Sequence, residues 1–133
     1  KERAMGNRIL VADDEAHIRN VVSMKLRNAG YEVLTAMDGE EALEIAAAER
    51  PDLLITDYQM PYVSGLELCT QLRQNQATCA IPAIMLTARG FDLEPEEMSS
   101  AGIEAVLSKP FSPRQMLQKV QELLSTPEVP AAE

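Results

Sequence analysis

Three carboxylates, one ammonium and one hydroxyl stand where short apolar runs of this sequence stop. Asp13 and Asp14 follow the run Arg8–Ala12 (RILVA), Asp57 follows Leu53–Thr56 (LLIT), and Thr87 follows Ala83–Leu86 (AIML). Lys109 comes just after Ala105–Leu107 (AVL), with Ser108 between and Pro110 behind it. An aspartate after a strand is an ordinary helix cap, so each acid taken singly has a mundane explanation. Their convergence does not. Two like charges about 4 Å apart repel by roughly 4 kcal/mol at an effective dielectric near 20. Lys109 offsets one of three negative charges and leaves room for a hard dication. Magnesium takes one or two carboxylates, keeps several waters and completes its shell with phosphate oxygens. Metal, ammonium and hydroxyl together suit phosphoryl transfer, in which charge on the equatorial oxygens must be neutralised.

That convergence requires the runs to be neighbouring parallel strands. Each run is too short for a helix and apolar throughout, as expected of strands covered on both faces. The half-alternating Tyr31–Ala36 (YEVLTA) makes a fifth, less buried strand. Helical patterns lie between them. Ile18, Val21, Val22, Leu26 and Ala29 form one stripe, closed by Gly30. Capping boxes at Asp38–Glu41, Ser64–Glu67 and Ser112–Gln115 open three more helices, the last with Pro113 at its first position and with Met116, Leu117, Val120, Leu123 and Leu124 inward. Pro95 to Gly102 reads as a helix of about two turns. The alternation βαβαβαβαβα predicts a flavodoxin-like, doubly wound five-stranded parallel sheet in the order 2-1-3-4-5, with its site at the carboxyl ends of the strands.

The 133 residues fit one domain, expected over 8–125, with 1–7 a flexible N-terminal segment and 126–133 a tail or linker. Twelve Lys and Arg against 21 Asp and Glu give a formal charge of -9, which argues against gripping nucleic acid or anionic lipid. Two cysteines make no disulfide framework, and with a single histidine they complete no zinc set. Cys69 and Cys79 read as reduced thiols, Cys69 half-buried on a helix. His17 reads as a surface residue in the first turn of the first helix. No apolar run is long enough to span a bilayer and no signal peptide is visible, so a cytoplasmic protein is expected.

The motifs V-A-D-D-E at 11–15, L-I-T-D-Y-Q-M-P-Y-V-S-G at 54–65, M-L-T-A at 85–88 and L-S-K-P-F at 107–111 occur in order, each at a strand end. In this the chain resembles the receiver domain of two-component response regulators, from about Asn7 to Ser125. The resemblance implies that Asp57 accepts a phosphoryl group from a phosphohistidine on a sensor kinase or phosphotransfer protein. It implies Mg2+ held by Asp14, Asp57 and the backbone carbonyl of Gln59, with Asp13 acting through water. Thr87 and Lys109 would hold the phosphoryl oxygens, and Pro110 would follow a cis peptide bond. Such a domain is no enzyme in the usual sense, catalysing only its own phosphorylation and dephosphorylation. Its output would be a docking surface for a downstream protein or for an effector domain absent from these residues, with phosphorylation-dependent dimerisation left open.

Gln59 and Arg89 occupy the positions that modulate acyl-phosphate lifetime in that family. Tyr62 and Ser64 replace its more usual Gly and Asp, and Val106 stands where it carries Tyr or Phe. Without that aromatic, phosphorylation is expected to act through a backbone shift of the loop 88–94, with Phe91 as a substitute ring. A haloacid-dehalogenase-type phosphatase would need a second Asp where this chain has Gln59. A flavodoxin would need a phosphate loop where Asp13 and Asp14 would repel the ligand. A receiver fold that only binds partners remains the third alternative.

Overall fold

The computed structural model describes residues 7–88 and 94–124. Five parallel strands, β1 (Arg8–Ala12), β2 (Glu32–Ala36), β3 (Leu53–Asp57), β4 (Ala83–Thr87) and β5 (Ile103–Ser108), form one sheet in the order β2-β1-β3-β4-β5. Between and after them run α1 (Ala16–Asn28), α2 (Gly39–Glu49), α3 (Gly65–Arg73), α4 (Pro95–Ala101) and α5 (Pro113–Leu124). This is the expected flavodoxin-like arrangement. The loop residues Arg89, Gly90 and Phe91, and the segments 1–6 and 125–133, lie outside the described residues.

Strand alternation sorts the apolar residues into two cores. Ile9, Val11, Leu53, Ile55, Ile84 and Leu86 pack with Val22 and Leu26 of α1 and Met116 and Val120 of α5. Leu10, Ala12, Leu54, Ala83 and Met85 pack with Ala42 and Ala46 of α2, Leu68, Cys69 and Leu72 of α3, and Ala101 of α4. Both faces of the central strands are therefore dry, which is why their sequences are unbroken apolar runs rather than alternating ones. Of the expected inward residues of α5, Met116 and Val120 are fully buried, while Leu117, Leu123 and Leu124 are partly buried against the same core.

The caps position the helices. Gly30, at φ +101°, closes α1 in a Schellman motif: Tyr31 N–H bonds the Leu26 carbonyl at 3.1 Å and Gly30 N–H the Arg27 carbonyl at 2.9 Å. The Ser64–Glu67 box is complete in both directions, at 3.1 and 2.9 Å. At α2 the expected box is altered. Asp38 accepts from Glu41 N–H at 2.9 Å, but the Glu41 carboxylate returns to Met37 N–H at 2.7 Å, one residue before the cap. Ser112 Oγ accepts from Gln115 N–H at 3.2 Å. Gly102, at φ +73°, ends α4.

Three strands extend past their apolar runs. Asp57 and Thr87 are the last residues of β3 and β4 rather than the first of the loops, because the ladder continues through Asp57 opposite Leu86 and Thr87 opposite Ser108. In β5 the register slips: Ala83 pairs with Ile103 and Ile84 with Ala105, leaving Glu104 as the extra residue. Beyond that irregularity the strand is turned by one residue, so Ile103 and Val106 both meet the α2–α4 core.

Candidate functional site

Asp13, Asp14 and Asp57 meet at the carboxyl edge of the sheet, each offering an oxygen within 4.8 Å of the others. The chain leaves β1 at Asp13, whose N–H still reaches the Ala36 carbonyl of β2 at 3.2 Å. The Asp13 carboxylate is fully buried and turns back to accept from Glu15 N–H at 2.9 Å, a short-range bond that sets the turn into α1. Arg19 reaches from the first turns of α1 and donates to the Asp13 backbone carbonyl at 2.7 Å. Asp14, next along, is exposed. Asp57 is 6% exposed. Its backbone is crowded by α3, since a Cβ on Gly65 would overlap the Asp57 carbonyl and lie 2.9 Å from Met85 Sδ. Only glycine lets that helix begin so close to the site.

Lys109 arrives from the far side. Its N–H bonds the Thr87 carbonyl at 2.7 Å, tying the β5–α5 loop to the end of β4, and the Lys109–Pro110 peptide is cis, as expected. The ammonium hydrogen-bonds Asp13 at 3.1 Å and Glu15 at 3.2 Å, and lies 3.2 Å from Asp57 Oδ1. Glu15 is the residue the motif reading passed over. It stands in the V-A-D-D-E run but looks like an ordinary first-turn acid, and nothing local shows that it faces a lysine 94 positions away.

Burial and crowding set the protonation. Asp57 is pushed up to about 6, by burial first and then by the Asp13 charge, with Lys109 pulling the other way. Asp13 is raised by burial, against the Glu15 N–H and Lys109, which favour its charged form. Burial alone would lower Lys109, but its hydrogen bond to Asp13 and the charges of Asp13 and Asp57 raise it on balance. Three carboxylates, those of Asp13, Glu15 and Asp57, thus share one ammonium. The oxygens of Asp13, Asp14 and Asp57 form the all-oxygen donor set that hard dications take, so these residues fit a bound Mg2+.

The remaining expected positions are less central or differ. Thr87 is buried at the end of β4, in register with Ser108, and Gln59 is exposed two residues beyond β3. His17 is exposed in the first turn of α1, as expected. Cys69 is fully buried rather than half-buried, because α3 turns it into the core beside Leu68 and Leu72. Burial there pushes its thiol up to about 12, while Cys79 is an exposed free thiol. Tyr62 is 82% exposed at φ +71°, so the loop after Pro61 adopts a backbone that favours glycine without having one. Val106 is half-buried.

A doubly wound α/β domain with an acidic, lysine-bridged site where the strand order reverses between β1 and β3 defines a narrow class of proteins. The chain belongs to the response regulator receiver domain family, which matches residues 9–121. It is 39% identical over 127 residues to the alkaline phosphatase synthesis transcriptional regulatory protein PhoP of Bacillus subtilis, covering 96% of this chain and 52% of that protein. It is 37% identical over 120 residues to the phosphate regulon transcriptional regulatory protein PhoB of Pseudomonas aeruginosa, covering 90% and 52%. The chain therefore spans about half the length of these curated relatives. Among solved structures, the chemotaxis response regulator CheY4 of Vibrio cholerae superposes with a TM-score of 0.82 at 37% identity, over 90% of this chain and 99% of that one. The receiver domain of the sensor histidine kinase PA1611 of Pseudomonas aeruginosa, which holds a magnesium ion in its active-site cleft, superposes at 0.80 with 27% identity, over 91% and 99%. Among the described residues no helix is long and apolar enough to cross a membrane.

Proposed function

We propose that this receiver domain takes a phosphoryl group onto Asp57 from the phosphohistidine of a sensor kinase or phosphotransfer protein, in the cytoplasm. The observation that carries the reading is Asp57 Oδ1 lying 3.2 Å from the Lys109 ammonium, inside a ring of carboxylates whose oxygens approach within 4.8 Å. The Asp57 oxygen forms the new O–P bond as the P–N bond of the donor breaks, and the departing imidazole takes up a proton. A donor so activated asks for alignment and charge neutralisation rather than a general base. Asp57, pushed up to about 6, is mostly ionised at neutral pH and needs no help to become a nucleophile. Asp14, Asp57 and the Gln59 carbonyl would hold Mg2+, with Asp13 behind a water, and the metal when bound supplies charge neutralisation for phosphoryl oxygens. Lys109 would neutralise another oxygen and Thr87 would donate to a third. The domain's only chemistry is then its own phosphorylation and dephosphorylation.

The signal leaves through a changed docking surface, for a downstream protein or a linked effector domain. Val106 is short and β-branched, with few rotamers, so no aromatic ring at that position swings between buried and exposed sites. Acetyl phosphate in the presence of magnesium tests the acceptor: wild type should carry a hydroxylamine-sensitive label that Asp57→Ala lacks entirely. Label persisting on Asp57→Ala at wild-type levels would move the acceptor elsewhere. A wild type that takes no label would leave a fold that only binds.

A further inference from the structure

Glu15 occupies the N-cap of α1, where Ser, Thr, Asp and Asn are favoured because a short side chain can reach back to the helix N–H groups. Its side chain makes no capping bond. It extends instead to Lys109, 3.2 Å away. The position thus forgoes the helix and serves the site.

An ammonium has three N–H donors. Those of Lys109 face three carboxylates, at 3.1 Å for Asp13, 3.2 Å for Glu15 and 3.2 Å for Asp57. A phosphoryl group on Asp57 inherits the N–H that the Asp57 carboxylate held, and a further contact with Lys109 forms only if Asp13 or Glu15 yields. These two differ sharply in what release would cost. The Asp13 side chain is 0% exposed and would be left charged and poorly solvated, whereas that of Glu15 is 61% exposed and passes to water.

We infer that Glu15 is a positioning residue that holds Lys109 in the unphosphorylated domain and is the partner surrendered when Asp57 is modified. This rests on the phosphoacceptor reading of Asp57. Glu15 then acts as a competitor for the lysine, lowering the affinity of the site for an anionic group on Asp57. An exposed ion pair of this kind corresponds to about a two- to fivefold effect.

Beryllofluoride at saturating magnesium provides the probe, with its dissociation constant measured for wild type, Glu15→Gln and Glu15→Asp, and a thermal midpoint taken for each. Glu15→Gln removes the charge. Glu15→Asp keeps the charge but is one methylene too short to span to Lys109. Both should bind beryllofluoride about two- to fivefold more tightly than wild type, and the gain should shrink as salt is raised. Tighter binding by Glu15→Gln with Glu15→Asp unchanged would mean plain repulsion between Glu15 and the anion, and would overturn the proposal. Equal binding by all three proteins would overturn it as well. A wild type that binds no beryllofluoride would remove the phosphoacceptor reading itself, a failure visible before any Glu15 variant is made.

Discussion

The middle of the sheet and its carboxyl edge follow opposite physical rules within the length of one strand. Leu54 and Ile55 of β3 are wholly buried among apolar side chains, and every atom withdrawn from water there favours the fold. Two residues on, Asp57 is nearly as enclosed but carries a carboxylate beside those of Asp13 and Asp14, and it shares the Lys109 ammonium with Asp13 and Glu15. The first region stabilises the domain. The second costs it, and persists because α3, the β1–α1 turn and the lysine loop hold the edge in place. That edge is therefore a weak point of the fold, carried by the core beneath it.

The largest effect should come from the core side of that contrast. Leu54→Ala leaves a cavity between β3 and the α2–α4 face and should lower unfolding stability by about 2–5 kcal/mol in urea melts. A loss well under 1 kcal/mol would mean the core does not bear the site's cost.

At the edge the sign reverses. The folded-state value of Asp57, about 6, lies above its ordinary 3.8, so the folded protein binds that proton first. Its contribution favours the fold at low pH and is lost as pH rises from near 3.8 through about 6. Asp57→Asn, in metal-free buffer, should therefore be more stable than wild type at neutral pH by up to about 3 kcal/mol. The gap should close as pH falls toward the ordinary carboxylate range. Parallel stability curves for the two proteins across that window would contradict the crowding.

Magnesium should relieve the same repulsion from outside, raising the thermal midpoint by the equivalent of about 2.7 kcal/mol at a hundredfold excess over its dissociation constant. Asp14→Ala should lose that shift while keeping its fold. A wild-type midpoint indifferent to magnesium would remove the metal from the account. The smallest effect belongs to the local scaffolding: Ser64→Ala breaks the box that starts α3 beside Asp57 and should cost about 1 kcal/mol.

What the chain determines by itself is what local chemistry can encode. Unbroken apolar runs mark strands buried on both faces, Ser64 with Glu67 and Gly30 mark helix ends, and the acids and lysine at the run ends pick out the candidate site. Each rests on neighbours a few positions apart, within reach of periodicity and capping rules. The tertiary structure decided the rest. It paired Glu15 with a lysine 94 residues away, slipped β5 at Glu104 so that Val106 meets the α2–α4 core, and sent Cys69 fully inside. It also brought Gly65 against the Asp57 carbonyl. Those outcomes depend on which surfaces remain once helices and sheet have packed, and packing is a property of the whole domain rather than of any stretch of it.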